Sequence, residues 1–395
     1  MAKKDLLTEL KNGYSRFTLV GKAVVKDGAL AGASIKEGKT WKQVDSSFGV
    51  QTAEGNTVYA RIWGGYQIDN PVIKRRSADD GKFFDIKWND RFDEKIIEKT
   101  DKRDSVLRAG FEKDEETGKI ITKEFLHEID FEEYLREHLA DGMEVRVSGE
   151  AEYGEYNDDT PLRYNIKSVY LAEPYKNKEG ELVTPVKEAK LKQTYLLDSD
   201  SLDKNWEKQL EKDGEVFVRA FVPQYVGKKK VGDKYVPLKK TVPFMKPFKV
   251  KLKNKDSETE LAAKKKIIKK FFVVKKNTVR ELVAMIDIVD GFSTSTGDIE
   301  ISPEIQELID LEIMTLEDVK KQVTVRGSRV SELVFSMPVM KQEKDSTNIL
   351  ILMDDEKYAP EALIAPTVDG EDDEDDDFAD ATVTVSDDEF NDMFM

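Results

Sequence analysis

A chain of 395 residues with 63 Lys and Arg against 79 Asp and Glu has a formal charge of −16, at 39% hydrophobic and 36% charged. That length suggests roughly two domains, with cores under a heavily solvated surface. The absence of cysteine excludes disulfides, thiolate zinc sites and cysteine nucleophiles. No stretch approaches the ~18 consecutive apolar residues of a membrane span. The start, MAKKDLLTELKNG, has no secretory apolar run, so a cytoplasmic protein is expected.

In chain order, residues 1–175 read as strands. SRFTLVGKAVV (15–25), WKQVDSSFGVQT (41–52) and TVYARIWGG (57–65) are β-rich, and the turn AEGN between the last two makes them a hairpin. A long charged excursion follows, through NPVIKRRSADDGKFFDIKWNDRF. IDFEEYLREHLADG (129–142) has helical spacing with Gly142 as a stop. MEVRVSGEAEYGEYNDDTPLRYNIKSVYLA (143–172) reads as strand, polar turn, strand. Three strands, a helix and two strands is the order of the OB-fold, a five-stranded barrel whose open face holds oligonucleotides. The expected class is therefore mainly β, a β-barrel with a helix.

The unit EEYLREHLADGMEVRVSGEAEYGEYNDDTPLRYNIKSVYLAE resembles the closing part of bacterial and phage single-stranded DNA-binding proteins. There, a short helix ending in Gly leads to a V-x-V-x-G strand, a polar hairpin tip and a final strand. The resemblance covers about 130 residues of the N-terminal part together with the acidic C-terminus. It implies a protein of a phage or similar replicon, acting in DNA replication, recombination or repair.

After a linker at 176–190, residues 191–358 suggest a second, OB-like basic domain. GEVFVRAFVPQYVG (214–227), TVPFMKPFKVKL (241–252) and TVRELVAMIDIVDG (278–291) read as its first three strands. SPEIQELIDLEIMTLEDVKKQ (302–322) reads as its helix, with Ser302 as N-cap and Pro303 at the first helical position. VTVRGSRVSELVFSMPVM and NILILM would then close the barrel, while KKKIIKKFFVVKK (264–276) fits neither strand nor helix period.

Alternation gives the sharpest local signal. In TVYARIW, Val58, Ala60 and Ile62 share one face, so Tyr59, Arg61 and Trp63 share the other. Single-stranded nucleic acid needs such a row: bases stack on flat rings at ~1–3 kcal/mol each while Arg meets phosphate. The row recurs as Phe217, Arg219 and Phe221, against Val216, Val218, Ala220 and Val222. Trp41, Trp88, Tyr153 and Tyr156 add rings to the first domain, and VIKRR supplies Arg75 and Arg76. The alternative for any such row is a second layer of core.

Residues 219–280 hold twenty Lys and Arg against four Asp and Glu. Lys249, Lys251 and Lys253 form one face of a strand, and Lys228, Lys229, Lys230, Lys239 and Lys240 lie on an adjacent hairpin with Tyr235. A concentration of cations among aromatics points to a polyanion partner.

Enzyme signals are weak. ASIKEGKT (33–40) imitates a phosphate-binding loop, but a strand follows where the mechanism needs a helix N-terminus. The two histidines, His127 and His138, match no metal or catalytic spacing and read as surface residues. No cofactor, metal or catalytic residue is expected.

The end of the chain carries the remaining signal. Residues 369–395 hold thirteen acidic side chains and no basic one, so residues 1–368 carry 63 basic and 66 acidic, a net of −3. Residues 359–395 are expected to be a disordered acidic tail. The resemblance implies that such a tail recruits polymerase, helicase, primase or recombinase. Here Asp387, Asp388, Glu389 and Asp392 surround Phe390 and Phe394 as the partner-binding tip. Met395 stands last where the bacterial pattern ends on Phe, and the preceding Pro is missing. The function so read is a single-stranded DNA-binding protein that coats and protects single strands. The alternative is an acidic-tailed transcription or polymerase accessory factor, binding a polymerase or duplex DNA through its basic region.

Overall fold

Alternating residues in the first part of the chain do form strands. The computed structural model describes residues 6–36, 38–103, 105–154, 162–176, 180–231, 234–294, 306, 309–310, 326–343 and 347–365. The protein is mainly β. β1 (Ser15–Val24), β2 (Trp41–Ala53) and β3 (Asn56–Gln67) come first, and after an excursion they are joined by β6 (Glu144–Tyr153) and β7 (Leu162–Leu171). β1 pairs with β2, β2 with β3, β3 in parallel with β7 through Arg61 and Asn165, β7 with β6, and β6 with β1 again. The five pairings close into a circuit.

Its interior is filled by the inward set of each strand: Phe17, Val44, Phe48, Val50, Val58, Ile62, Val147 and Ile166 are all buried. Each such side chain contributes ~1.5–3 kcal/mol on leaving water. Helix α2 (Glu128–His138) lies between β3 and β6 in sequence and buries Ile129, Phe131 and Leu135. Ser34 and Ile35, inside ASIKEGKT, pair with Gln43 and Lys42 of β2, so a strand pairing stands where a phosphate loop needs a helix.

The excursion 68–127 has a small core of its own. Its hairpin β4 (Val72–Arg76) and β5 (Phe83–Lys87) precedes a short helix, α1 (Glu94–Lys99). Ile73, Ile86, Val106 and Leu126 are buried together there, with Phe84, Trp88, Ile96 and Ile97 against them.

The second half repeats the circuit in a different place from the one expected. Its elements are β8 (Glu188–Leu197), α3 (Trp206–Asp213), β9 (Glu215–Val218), β10 (Phe221–Val231), β11 (Lys234–Met245), β12 (Phe248–Lys251), α4 (Glu258–Phe271), β13 (Val279–Thr294) and β14 (Arg326–Pro338). β8 meets β10 at Leu196 and Phe221, β9 pairs with β12, and β12 runs parallel to β14 at Lys249 and Val334. β14 pairs with β13, and β13 returns to β8. Only Arg219 and Ala220 separate β9 from β10, so these two act as one bent strand.

Residues 278–291 are thus the fourth strand of this circuit and not the third. The stretch KKKIIKKFFVVKK, which had no clear period, begins midway through α4. The helix announces itself earlier, at SETE: Ser257 Oγ accepts from Glu260 N at 3.2 Å, and the Glu260 carboxylate accepts from Lys253 N at 2.7 Å. This is a capping box with its return arm displaced to the preceding loop. The helix expected over 302–322 lies almost wholly outside the described residues.

Nor is 176–190 simply a linker. β8 begins at Glu188 and pairs with β1 from Ser15 opposite Gln193 to Val20 opposite Glu188, making one continuous sheet of the two halves. Buried Gln193 accepts from Tyr153 Oη at 2.9 Å and Ser15 Oγ at 3.0 Å, and donates to Tyr14 O at 2.9 Å. The two ends of the described residues are also clasped. Leu7 N donates to Lys357 O and Ala359 N to Leu7 O, both at 2.9 Å, and Ala362 is buried beside Leu10 and Val279. Residues 359–365, assigned to the tail from sequence, therefore belong to the folded body, and 366–395 lie outside the described residues.

Candidate nucleic-acid interface

The outer face of β2 and β3 gathers four of the expected residues. Val58, Ala60 and Ile62 are buried, and Tyr59, Arg61 and Trp63 between them are half-buried on the opposite face. On β2, Trp41 stands across from Gln67, Asp45 from Trp63 and Gly49 from Tyr59, so Trp41 shares that outer face. Two glycines let the rings lie close to the backbone. A Cβ on Gly49 would stand 3.3 Å from Tyr59 Cε1, and one on Gly65 would stand 2.5 Å from Trp41 Nε1.

The face has cationic edges. The Arg61 guanidinium lies 5.5 Å from the Trp63 ring and 3.9 Å from the exposed Asp45 carboxylate, and Lys26 Nζ lies 5.7 Å from the Tyr59 ring. Neither indole N–H, of Trp41 or of Trp63, has an acceptor among the described residues. Asn165 enters beside Arg61 through the parallel pairing and donates to Glu152 at 2.8 Å. No reading of the sequence could place Asn165 there, because that neighbour is supplied by closure of the circuit.

Other expected residues are differently employed. Arg75 is turned inward: its Nε donates to Leu126 O at 2.7 Å and its Nη2 to Glu128 at 3.1 Å. Trp88 is packed 4.1 Å from the Tyr66 ring with the Arg91 guanidinium 3.9 Å above it. Tyr153 is buried between the halves, 2% exposed, so it offers no ring at the surface. Arg76 is exposed on the excursion. Tyr156 lies outside the described residues, as do Asp387, Asp388, Glu389, Phe390, Asp392 and Phe394.

His127 is a correction, since it is buried and not a surface residue. It caps α2, its Nδ1 accepting from Ile129 N at 3.1 Å while Nε2 faces Gly65 O at 3.3 Å. These partners require the neutral ring with its proton on Nε2. Burial holds its pKa below 6.5, against the opposing pull of Glu128. Glu128 itself, which burial would raise, is held down at about 2, chiefly by the Arg75 guanidinium.

A depressed folded pKa means that the stabilisation from His127 is complete above the unfolded value of 6.5 and is lost as pH falls below it. The thermal midpoint is expected to drop from pH 7 to pH 5, and His127→Asn, which keeps a capping acceptor, should flatten that drop. An unchanged slope in the variant would assign the acid sensitivity to other groups.

In the second half the alternation again holds, with Val216, Val218, Ala220 and Val222 buried and Phe217 and Arg219 exposed. Phe221 instead turns toward Leu196 and Tyr358. The strand expected to be a basic face is neutralised. Lys249 is 2.9 Å from Glu215 and 2.5 Å from Glu332, and Lys251 pairs with the same two carboxylates, 3.2 Å from Glu215. Glu215 is legible as a same-face neighbour of Phe217, but Glu332 arrives only through β14. Lys265 and Lys269 pair with Glu211 and Glu207 of α3. Arg280 is gripped by Asp355 at 2.6 and 2.7 Å.

A group of available cations lies on the β10–β11 hairpin. Lys228, Lys229, Lys239 and Lys240 make no ion pair among the described residues, and Tyr225 and Tyr235 are exposed beside them. Lys230 shares the strand, though its side chain lies outside the described residues. Lys253 is exposed at the start of the loop before α4.

Among the described residues, no group of three or more His, Asp or Glu is placed to hold a metal, and no helix is long and apolar enough to cross a membrane. No protein-family model and no curated protein matches the chain. Among solved structures, it is similar to a deletion mutant of the single-stranded DNA-binding protein from Thermus aquaticus, at 11% identity over 71% of this chain and 88% of that one, with a TM-score of 0.26. A superposition so loose carries no argument about fold or function.

Proposed function

We propose that this chain is a non-enzymatic single-stranded DNA-binding protein built on two OB-folds. Support for the fold is the order of pairings, which in each half runs first, second, third, fifth, fourth and back to the first, with the helix between third and fourth. The observation that carries the function is the outer face of β2 and β3, where Trp41, Tyr59, Arg61 and Trp63 offer rings and a cation side by side. Stacking of this kind tolerates any sequence, since every base has a flat face. The lysine hairpin supplies sequence-independent attraction for phosphates. In this reading the protein coats and protects cytoplasmic single strands during replication, recombination or repair. Titrating labelled single- and double-stranded oligonucleotides of equal length tests it. Preference for the single strand is expected at every salt concentration, and equal affinity would sink both fold and function.

The acidic tail is proposed to recruit polymerase, helicase, primase or recombinase, with carboxylates steering and Phe390 and Phe394 anchoring. The last described residues, 360–365, lie beside the strand end at Phe221 that begins the lysine hairpin. A tethered polyanion starting there competes with DNA for those lysines. Deleting 369–395 is expected to tighten single-strand binding, most at low salt, and to abolish partner capture, whereas Phe394→Ala loses the partner alone. Identical low-salt affinities with and without the tail would show that it never reaches the lysines.

A further inference from the structure

Excursion 68–127 leaves two aromatic rings largely in water. Phe83 and Phe92 stay 65% and 63% exposed although Ile73, Ile86, Val106 and Leu126 fill the small core beneath. The two rings differ in surroundings. The cation over Phe92 belongs to Arg91, whose guanidinium is already committed to Asp130 at 2.8 and 3.0 Å. Phe83 stands directly across the hairpin from Arg76, whose guanidinium lies 5.2 Å from the ring.

The same strand face carries Lys74 and Lys87 against a single acid, Asp85. Aromatic and arginine therefore recur side by side, as Trp63 and Arg61 do on β3. The hairpin is also fixed in place. It leaves β3 after Gln67 and is anchored by Arg75 to Leu126 O and Glu128, and by Trp88 packed on Tyr66. That is the end of β3 where Trp41 stands, opposite Gln67. Phe83 lies four residues up the hairpin from its base at Val72 and Lys87, about 13 Å at ~3.3 Å per residue.

We infer that Phe83, capped by Arg76, is a further base-stacking subsite for the same single strand, taking nucleotides beyond those held on β2 and β3. The inference rests on the single-strand reading above. A rigid, self-packed insertion that leaves one ring in water beside a guanidinium supplies the two contacts a nucleotide takes: a flat face for the base and a cation for the phosphate. Because the subsite is displaced from the β2–β3 face, only a strand long enough to reach it gains from it.

The test is affinity against length, using the full chain and oligothymidylates of about 4 and about 16 nucleotides, the range one such face spans. Phe83→Ala is expected to weaken the longer oligonucleotide by about 5- to 150-fold and to leave the shorter one unchanged. Phe83→Tyr should retain the wild-type affinity for both, and Trp63→Ala should weaken both. Because the Phe83 ring is mostly in water, its truncation opens no cavity, and an unchanged melting curve checks this. If Trp63→Ala weakens binding and Phe83→Ala alters neither length, or alters both equally, the subsite does not exist and the single-strand reading stands. If neither variant changes affinity, the single-strand reading falls and takes the inference with it.

Discussion

Replacing Lys228, Lys229, Lys239 and Lys240 together with Gln is expected to flatten the salt dependence of single-strand binding. Each cation that neutralises a phosphate contributes ~0.7 to the log–log slope on a single strand, so four remove up to about 2.8. The affinity loss should exceed about tenfold at low ionic strength and shrink as salt rises, because screening weakens the wild-type protein toward the variant. These four side chains have no acidic partner among the described residues and lie outside the core, so the melting temperature should not move. Lys249→Gln and Lys251→Gln form the informative contrast. Both are already neutralised by Glu215 and Glu332, and their removal leaves two carboxylates unpaired. That change should cost stability more than it alters the salt slope. Equal slopes for the wild type and the quadruple variant would remove the hairpin from the interface.

Val58→Asp and Trp63→Ala, only five positions apart on one strand, are expected to fail in opposite ways. Val58 is fully buried opposite Val50. An aspartate there has no partner and must either ionise in an apolar interior or stay protonated, at a cost of several kcal/mol. Set against a total stability of ~5–15 kcal/mol, this should unfold the first circuit. Trp63 lies on the other face, so its removal should leave the melt nearly unchanged and weaken single-strand binding by ~1–3 kcal/mol. Thermal melts by circular dichroism and anisotropy titrations of both variants decide it. A Trp63→Ala protein that melts early while binding normally when folded would make the ring part of a second core layer.

Much of the first half was legible. Period-two alternation in β3 fixed which residues are core and which face out, and it did so from the chain's own geometry, since neighbouring side chains on a strand must point opposite ways. Outside the excursion 68–127, whose hairpin and short helix were not read, the strand, helix and turn order up to Leu171 followed from equally local signals. In the second half a local signal is also present: Ser257 and Glu260 mark the start of α4, and the stretch from Lys264 shows no clear period because it begins in the middle of that helix.

Partnership across long stretches of chain was decided by tertiary structure. Lys249 reads from sequence as part of a basic strand face, yet Glu332 lies 83 positions away and arrives only when β14 runs parallel to β12. Arg75 and Arg76 are equivalent as sequence signals, but α2 brings Glu128 to Arg75 and leaves Arg76 at the surface. Tyr153 became core because β1 pairs with β8 and seals it against Gln193. Sequence by itself determined which face each side chain takes, because that depends on backbone geometry one residue at a time. Which cations and rings remain available to a ligand depends on what the closing circuits bring against them, and only the folded chain decides that.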